Sequence, residues 1–186
     1  MYKETKRWRF SIQTPSPPIN KAKIQKAIKK ESKEKIGLTN HSITAFLQHF
    51  PHFLGCFAED ELQTIVIRSL PVSLIVNFDH SGLDGSHWIA LRIDKKRLEI
   101  FDPLGFNVMR WPRIPFFLID FLHKFSLNRK VFISREIQPF NSSLCGFYCI
   151  YFLYCRTSAP FSSCIQLFSL ELHNNDNILI NLFNKI

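Results

Sequence analysis

The chain of 186 residues is 46% hydrophobic and 21% charged, which predicts a folded chain with a real core rather than a disordered one. No apolar run is long enough to span a bilayer, and no apolar stretch follows the basic N-terminus as in a secretory signal, so we expect an intracellular protein without a membrane partner. The net charge of +9 is uneven: residues 1–36 hold 11 Lys/Arg and 3 Asp/Glu, a balance of +8, which leaves +1 for residues 37–186.

The first predicted element is a basic N-terminal arm, residues 1–36, partly helical or disordered, ahead of a folded domain at residues 37–186. The Pro-rich stretch 14–18 cannot be helical. Asn20 then caps a helix that runs to about Lys35. Its thin apolar stripe consists of Ile24, Ala27 and Ile28. Such an arm commonly meets nucleic acid or another polyanion, and the equally weighted alternative is a solvated helix that aids solubility.

Short elements follow the arm. A helix is predicted over 42–50, and Pro51 and Gly55 then break the chain. Runs of β-branched and apolar residues predict two strands, at 65–67 and 74–78.

The clearest strand pair is a hairpin. Its strands are 87–93 and 97–102. A two-residue loop that starts at Asp94 pairs His87 directly with Asp102, whereas a loop that starts at Lys95 leaves them diagonal. Either register puts both side chains on one face of the antiparallel pair. Because a carboxylate fixes the tautomer of an imidazole and strengthens it as a base, we predict a functional pair. The alternative is a structural pair that closes the sheet.

The second half of the chain predicts three helices and one strand. The helices lie at 112–125, 145–156 and 176–184, and the strand lies at 131–137. The helix at 145–156 is apolar almost all round and contains no proline, so it is predicted to be buried. The sum is an α+β fold, a mixed central sheet with a buried helix across one face.

A polar loop, residues 141–143, is followed by the predicted apolar helix, which begins at Cys145. Unpaired backbone N–H groups and the positive end of the helix dipole favour a thiolate at that position. Taken alone, Cys145 is more simply a buried thiol that begins a helix. Beside the pair of His87 and Asp102 it is predicted to be a nucleophile. Gln138, at the end of a predicted strand, is predicted to donate its amide to an oxyanion together with the Cys145 N–H.

The other thiols predict no further chemistry. Three of them, Cys149, Cys155 and Cys164, lie in apolar surroundings and are interpreted as small buried hydrophobes. The odd total of five cysteines argues against a disulfide framework. No CxxC pair occurs, so the sequence predicts neither a metal site nor a cofactor.

These motifs carry a specific resemblance. The segments are Gly85-Ser86-His87-Trp88, residues 101–106, Gln138 and residues 141–149. They resemble the adenovirus maturation protease family and the related proteases of Maverick/Polinton elements and virophages. The similarity covers roughly residues 38–155. More distantly, the order His, Asp, Gln, Cys resembles the SUMO-deconjugating proteases of the Ulp/SENP type.

The resemblance implies a papain-like cysteine protease in permuted chain order, with the nucleophile on the buried helix and cleavage near small residues such as Gly. It implies a base, an orienter, an oxyanion donor and a nucleophile at His87, Asp102, Gln138 and Cys145. It also implies a capsid precursor as substrate, stimulation by DNA, here through the basic arm, and a place in the host nucleus, cytoplasm or virion. No cysteine lies between Asp102 and Gln138, so the family's activation by a disulfide-bonded peptide is not expected. A monomer is expected.

Three functions remain open at this point. The leading one is a protease that processes capsid proteins or polyproteins of a virus or virus-like element. The second is a ubiquitin-like-protein deconjugase, which would need a wide docking surface for a folded modifier. The third is an inactive nucleic-acid-binding protein on a protease-like scaffold, against which the complete set of four site residues argues.

Overall fold

A computed structural model describes residues 20–34, 37–106 and 114–183, which form a five-stranded mixed sheet with helices on both faces. The strands are β1 Phe53–Phe57, β2 Val72–Asn77, β3 Trp88–Ile93, β4 Arg97–Phe101 and β5 Lys130–Ile133. The α-helices are α1 Lys21–Glu34, α2 Asn40–Leu47, α3 Phe116–Ser126, α4 Cys145–Cys155, α5 Phe161–Gln166 and α6 Asn175–Phe183. Two 3₁₀ turns lie at Glu59–Thr64 and Leu172–Asn174. The Pro-rich stretch 14–18 lies outside the described residues.

The strands lie side by side in chain order, from β1 to β5. The three inner strands β2, β3 and β4 pair antiparallel, whereas each outer strand pairs parallel with its neighbour. The prediction of a mixed sheet is therefore confirmed. No helix in the described part of the chain is long and apolar enough to cross a membrane.

The predicted strand at 65–67 is wrong. Residues 65–67 belong to no strand of the sheet, in which β2 pairs with β1 and β3. Ile65 and Ile67 instead pack, partly buried, against one of the two cores. The strand that the sequence missed is β1, because Gly55 marks a β-bulge in its pairing with β2 and not a break in the chain.

Helices cover both faces of the sheet, and the predicted buried helix, α4, covers one of them. On the first face α4 packs against Ile75, Ala90 and Phe101, and the Phe152 ring stacks on that of Phe101 with centroids 4.3 Å apart. On the second face α3 packs against residues of the opposite parity, such as Leu91. The helix α4 is apolar all round because it is buried on all sides, between the sheet and the helices α2 and α6.

The hairpin of β3 and β4 adopts the second of the two predicted registers. Leu91 lies opposite Ile100, and the loop is Lys95-Lys96. The Asp94 side chain accepts hydrogen bonds from the backbone N–H groups of Lys96 and Arg97, at 2.7 and 2.8 Å, which explains why the chain turns there. Residues 87 and 102 are consequently diagonal neighbours at the open end of the hairpin.

The helix α1 belongs to the packed part of the molecule. Ile24 and Ile28 are buried in the same core as α4, as an apolar stripe requires. The lysines Lys23, Lys26 and Lys29 lie on the same helix, and Lys26 and Lys29 alternate with the buried stripe. The division of the chain into an arm at 1–36 and a domain at 37–186 stays a prediction, although the second half of that arm is anchored by these two isoleucines.

Candidate active site

His87 immediately precedes β3 and is 1% exposed. Its Nε2 lies 2.7 Å from Oδ1 of Asp102, and the Phe78 ring meets the imidazole edge to face at 5.1 Å between centroids. Because Nε2 is used for the carboxylate, Nδ1 is the nitrogen left for a second partner. The diagonal pairing predicted from the sequence therefore brings this base and this carboxylate together.

Asp102 follows β4 and is fully buried. Its Oδ1 also accepts the backbone N–H of Leu104 at 2.9 Å. The Ser134 hydroxyl forms two hydrogen bonds with the backbone of Asp102. It accepts one from the Asp102 N–H at 2.8 Å and donates one to the Asp102 carbonyl at 2.7 Å. Ser134 was not predicted from the sequence, since a lone serine after a strand gives no signal of this contact.

Cys145 is the first residue of α4 and is 6% exposed. The glycine that follows it has a packing role. A Cβ on Gly146 would lie 3.1 Å from Cβ of Leu38 and 3.3 Å from Cδ1 of Ile43. Glycine thus lets the first turn of α4 approach the segment around α2, and this fixes where the Cys145 thiol lies.

The thiol and the imidazole interact. Burial alone would lower the pKa of His87, but hydrogen bonds to Asp102 and to Cys145, together with the negative charge on both, raise it from 6.5 to about 9. His87 therefore lies between the Asp102 carboxylate and the Cys145 thiol, and its raised pKa favours the imidazolium at neutral pH. An imidazolium beside a thiol generally favours the thiolate, which is the nucleophilic form.

Gln138 is buried beside the same pair. Its backbone N–H donates to the carbonyl of Pro103, the residue after Asp102, at 2.8 Å. Its side-chain Nε2 donates to the carbonyl of Ser142 at 2.7 Å. Since β5 ends at Ile133, the predicted strand 131–137 is too long, and Gln138 lies in the loop that leads from β5 to α4.

Trp88 packs in the core and connects β3 with α4 and with the segment that precedes α2. Its Nε1 donates to the carbonyl of Leu38 at 2.8 Å, and its own carbonyl accepts the Sγ–H of Cys149 at 3.2 Å. Burial raises the pKa of Cys149 well above its ordinary value. Cys149 is thus a protonated thiol that ties α4 to β3.

The interpretation of Cys155 and Cys164 as unpaired buried thiols is wrong. They form a disulfide between the end of α4 and α5, with 5.9 Å between their Cα atoms. The pairing depends on the turn between these two helices, and α5 was not predicted. Cys56 is free and half-buried, and burial with the nearby Glu61 carboxylate raises its pKa to about 12.

A cavity of about 290 Å³ is lined in part by Trp88, the residue that follows His87, although none of the four predicted site residues lines it. Its wall is formed largely by the loop between β2 and β3, and its titratable lining residues are Glu61, Asp79, Asp84 and His80. Carboxylates outnumber the single histidine, so the space is electronegative. Within the described ranges, no group of three or more His, Cys, Asp or Glu residues is placed to hold a metal ion.

Comparison with known proteins identifies the relatives of this chain. The family model described as adenovirus endoprotease matches residues 53–170. The protease of ovine adenovirus D serotype 7 (isolate OAV287) is 30% identical over 127 residues, which are 63% of this chain and 57% of that protein. The protease of snake adenovirus serotype 1 is 28% identical over 117 residues, 58% of this chain and 54% of the relative. The protease of bovine adenovirus 7 is 28% identical over 157 residues, 72% and 77% respectively. The chain thus spans little more than half the length of the first two relatives.

Proposed function

Because the chain belongs to the adenovirus endoprotease family, we propose that it is a cysteine endopeptidase with a papain-like site in permuted order. In this proposal His87 is the base, Asp102 its orienter, Gln138 an oxyanion donor and Cys145 the nucleophile. The observation that carries the proposal is the buried row in which His87 interacts with both Asp102 and Cys145. A thiol, an imidazole and a carboxylate in a row are the groups that thiol-based acyl transfer needs.

Peptide hydrolysis then runs in two acyl transfers. The Cys145 thiolate attacks the scissile carbonyl carbon, and the oxygen that gains the electron pair accepts hydrogen bonds from the Gln138 amide and the Cys145 N–H. The tetrahedral species expels the amine, which takes a proton from the His87 imidazolium, and a thioester remains. His87 next removes a proton from water, which attacks the thioester and releases the acid and the thiolate.

We propose capsid or polyprotein precursors of a virus or virus-like element as substrates, cut beside small residues such as Gly. The relatives are named as proteases of adenoviruses, which favours viral proteins over ubiquitin-like modifiers. A monomer is sufficient in this proposal, because the four site residues come from one chain.

The proposal is tested with purified protein and internally quenched peptides that vary the residues around a Gly-containing bond. Peptides with a basic residue upstream are included, because the cavity beside Trp88 is electronegative. A fusion that ends in a SUMO-type C-terminus tests the deconjugase alternative. The proposal is supported if the wild-type protein hydrolyses the peptides and the Cys145→Ala variant does not. Cleavage of the fusion alone would favour the alternative, and hydrolysis of neither would overturn the proposed enzyme.

Limited alkylation of the folded protein is expected to modify Cys145 first. Cys145 contacts the His87 imidazole, the base that activates it in the proposed mechanism, whereas burial raises the pKa values of Cys56 and Cys149 and keeps both thiols protonated. Iodoacetamide treatment followed by peptide mass spectrometry gives the order of labelling. Faster labelling of Cys149 or Cys56 in the folded protein would contradict the assignment of the nucleophile.

The activity is expected to fall as the pH rises through about 9. The folded-state pKa of His87 is raised, so the charged imidazolium and its contribution to stability are complete below pH 6.5 and disappear as the pH passes about 9. A profile of kcat/KM against pH for a small peptide, from pH 5 to 10, measures this limb. In Asp102→Asn the limb should move to lower pH, because the carboxylate no longer raises the pKa. An alkaline limb that stays in place in this variant would assign it to another group.

We also propose that α1 and the basic residues before it bind DNA through phosphates, without sequence preference. Lys26 and Lys29 lie on α1, while Ile24 and Ile28 anchor the helix in the core. Deletion of residues 1–36 would therefore disturb the fold, and substitution of lysines is the cleaner test.

The double variant Lys26→Gln/Lys29→Gln is expected to weaken binding to duplex DNA. The slope of log K against log[salt] should become shallower by about 0.9 for each phosphate that the variant no longer neutralises. Fluorescence anisotropy over a salt series measures both quantities. The matched control is Lys95→Gln/Lys96→Gln in the hairpin loop, which removes the same charge from exposed residues elsewhere. Equal decreases of affinity in the two variants would show a response to net charge and not a site on α1.

A further inference from the structure

The loop between β5 and α4 is held by two consecutive residues at the start of α6. Asn175 and Asp176 are the first two residues of this helix. They lie beyond residue 170, where the match to the family model ends. The sequence predicted a helix there but no connection to the candidate active site.

Asn175 holds the first part of the loop. It is fully buried, and its Nδ2 donates to the carbonyl of Ile137, the residue before Gln138, at 2.7 Å. The same amide nitrogen donates to the Ser169 carbonyl at 2.9 Å, and Oδ1 accepts the Ser169 N–H at 2.8 Å. The backbone that leads into Gln138 is thereby tied to α6 and to the segment just before it.

Asp176 holds the second part. Its Oδ1 accepts the Ser142 hydroxyl at 3.0 Å and the Tyr148 hydroxyl at 2.9 Å. Ser142 Oγ in turn accepts the N–H of Leu144, the residue before Cys145, at 3.2 Å. Tyr148 is buried in the first turn of α4. One carboxylate oxygen therefore joins the loop to the helix that begins with the candidate nucleophile.

The Gln138 amide depends on this connection. Its Nε2 donates to the Ser142 carbonyl at 2.7 Å, and its Oε1 is buried without a partner among the described residues. A primary amide has two N–H donors, so the bond to Ser142 orients the group and leaves one donor for a substrate. A shift of Ser142 would therefore rotate or displace the remaining donor.

We propose that Asn175 and Asp176 are positioning residues that hold the oxyanion donors, the Gln138 amide and the Cys145 N–H, in place. This inference rests on the proposed function, because it concerns the same site. Donors must lie within hydrogen-bond distance of the position that the oxyanion will occupy, and removal of one donor costs about 10²- to 10³-fold in kcat. A donor that is displaced but still present should cost less, about 10- to 100-fold.

The test separates oxyanion stabilisation from thiol reactivity. Asp176→Ala should lower kcat for a peptide about 10- to 100-fold, with KM changed by about twofold or less. A peptide aldehyde, which forms a tetrahedral adduct with the thiol, should lose affinity by the same factor. The rate at which iodoacetamide alkylates Cys145 should be unchanged, because that reaction forms no oxyanion. Asp176→Asn keeps Oδ1 as an acceptor and should recover most of the activity.

Three further variants exclude a merely structural effect. Ser142→Ala removes the same link from the other side, so the double variant Ser142→Ala/Asp176→Ala should be no worse than the more impaired single one. Glu99→Gln is the matched control, because Glu99 pairs with Arg156 at the other end of α4, at 2.7 and 2.8 Å. It should lower the melting temperature while leaving the ratio of aldehyde affinity to alkylation rate at the wild-type value.

The outcomes distinguish this inference from the proposed function. Parallel decreases of alkylation rate and aldehyde affinity in Asp176→Ala, or wild-type values of both, would overturn the positioning role. Absence of peptide hydrolysis in the wild-type protein would instead overturn the proposed enzyme. The ratio of aldehyde affinity to alkylation rate would still decide whether α6 controls the donors.

Discussion

Replacement of Cys145 by alanine or serine is expected to abolish peptide hydrolysis, with kcat lower by roughly 10⁴-fold or more. The effect is large because no other thiol can take over the attack. Cys149 donates to the Trp88 carbonyl and is protonated, and Cys155 and Cys164 are joined to each other. Serine cannot replace the thiol, since an alcohol is a weaker nucleophile than a thiolate at neutral pH. Steady-state kinetics with a quenched peptide measures the effect.

The control for this prediction is Cys56→Ser. Cys56 is a free thiol on β1, outside the row of His87, Asp102 and Cys145, and its substitution should leave kcat within about twofold of wild type. A circular dichroism melt shows whether each variant is folded. If folded Cys145→Ala retained substantial activity, the nucleophile would have to be sought elsewhere.

Substitution of Asp102 by asparagine is expected to lower kcat by roughly 10²- to 10⁴-fold while the fold is kept. An asparagine Oδ1 can still accept a hydrogen bond from the Leu104 N–H, and the two hydrogen bonds of the Ser134 hydroxyl involve only the backbone of residue 102. What disappears is the negative charge that stabilises the imidazolium and fixes its orientation. His87→Ala should be at least as severe.

The measurement for Asp102→Asn is kcat at the pH optimum of the variant and of the wild type. Comparison at the optimum separates an orienting effect from the shift of the alkaline limb. A value of kcat close to wild type would show that another group holds His87 in place.

Patterns that are local in sequence predicted much of the architecture. The helix α4 was predicted within one residue, because its start is a change from polar to apolar sequence and its length contains no proline. The hairpin was predicted with two possible loops, and both place His87 and Asp102 on one face of the pair, as the structure does. These features depend on interactions between residues that are close in the chain, so they can be predicted from the sequence alone.

Features that depend on distant partners were not predicted. The disulfide of Cys155 requires α5, a helix of six residues without a clear apolar period. The β1 strand contains a bulge at Gly55 that looks like a break, and its identity as a strand depends on the edge offered by β2. The link from Asp176 to Ser142 crosses 34 residues of chain, and no local pattern marks either end.

The order of the strands has a consequence for amide hydrogen exchange. The strand β3 has a neighbour on both sides and a core on each face, so its N–H groups open only when most of the sheet opens. The outer strands β1 and β5 each have one edge without a strand partner in the described part of the chain. We therefore expect the slowest exchange next to His87 and faster exchange at both margins. Partial opening of the margins can then occur while the imidazole and its carboxylate stay together.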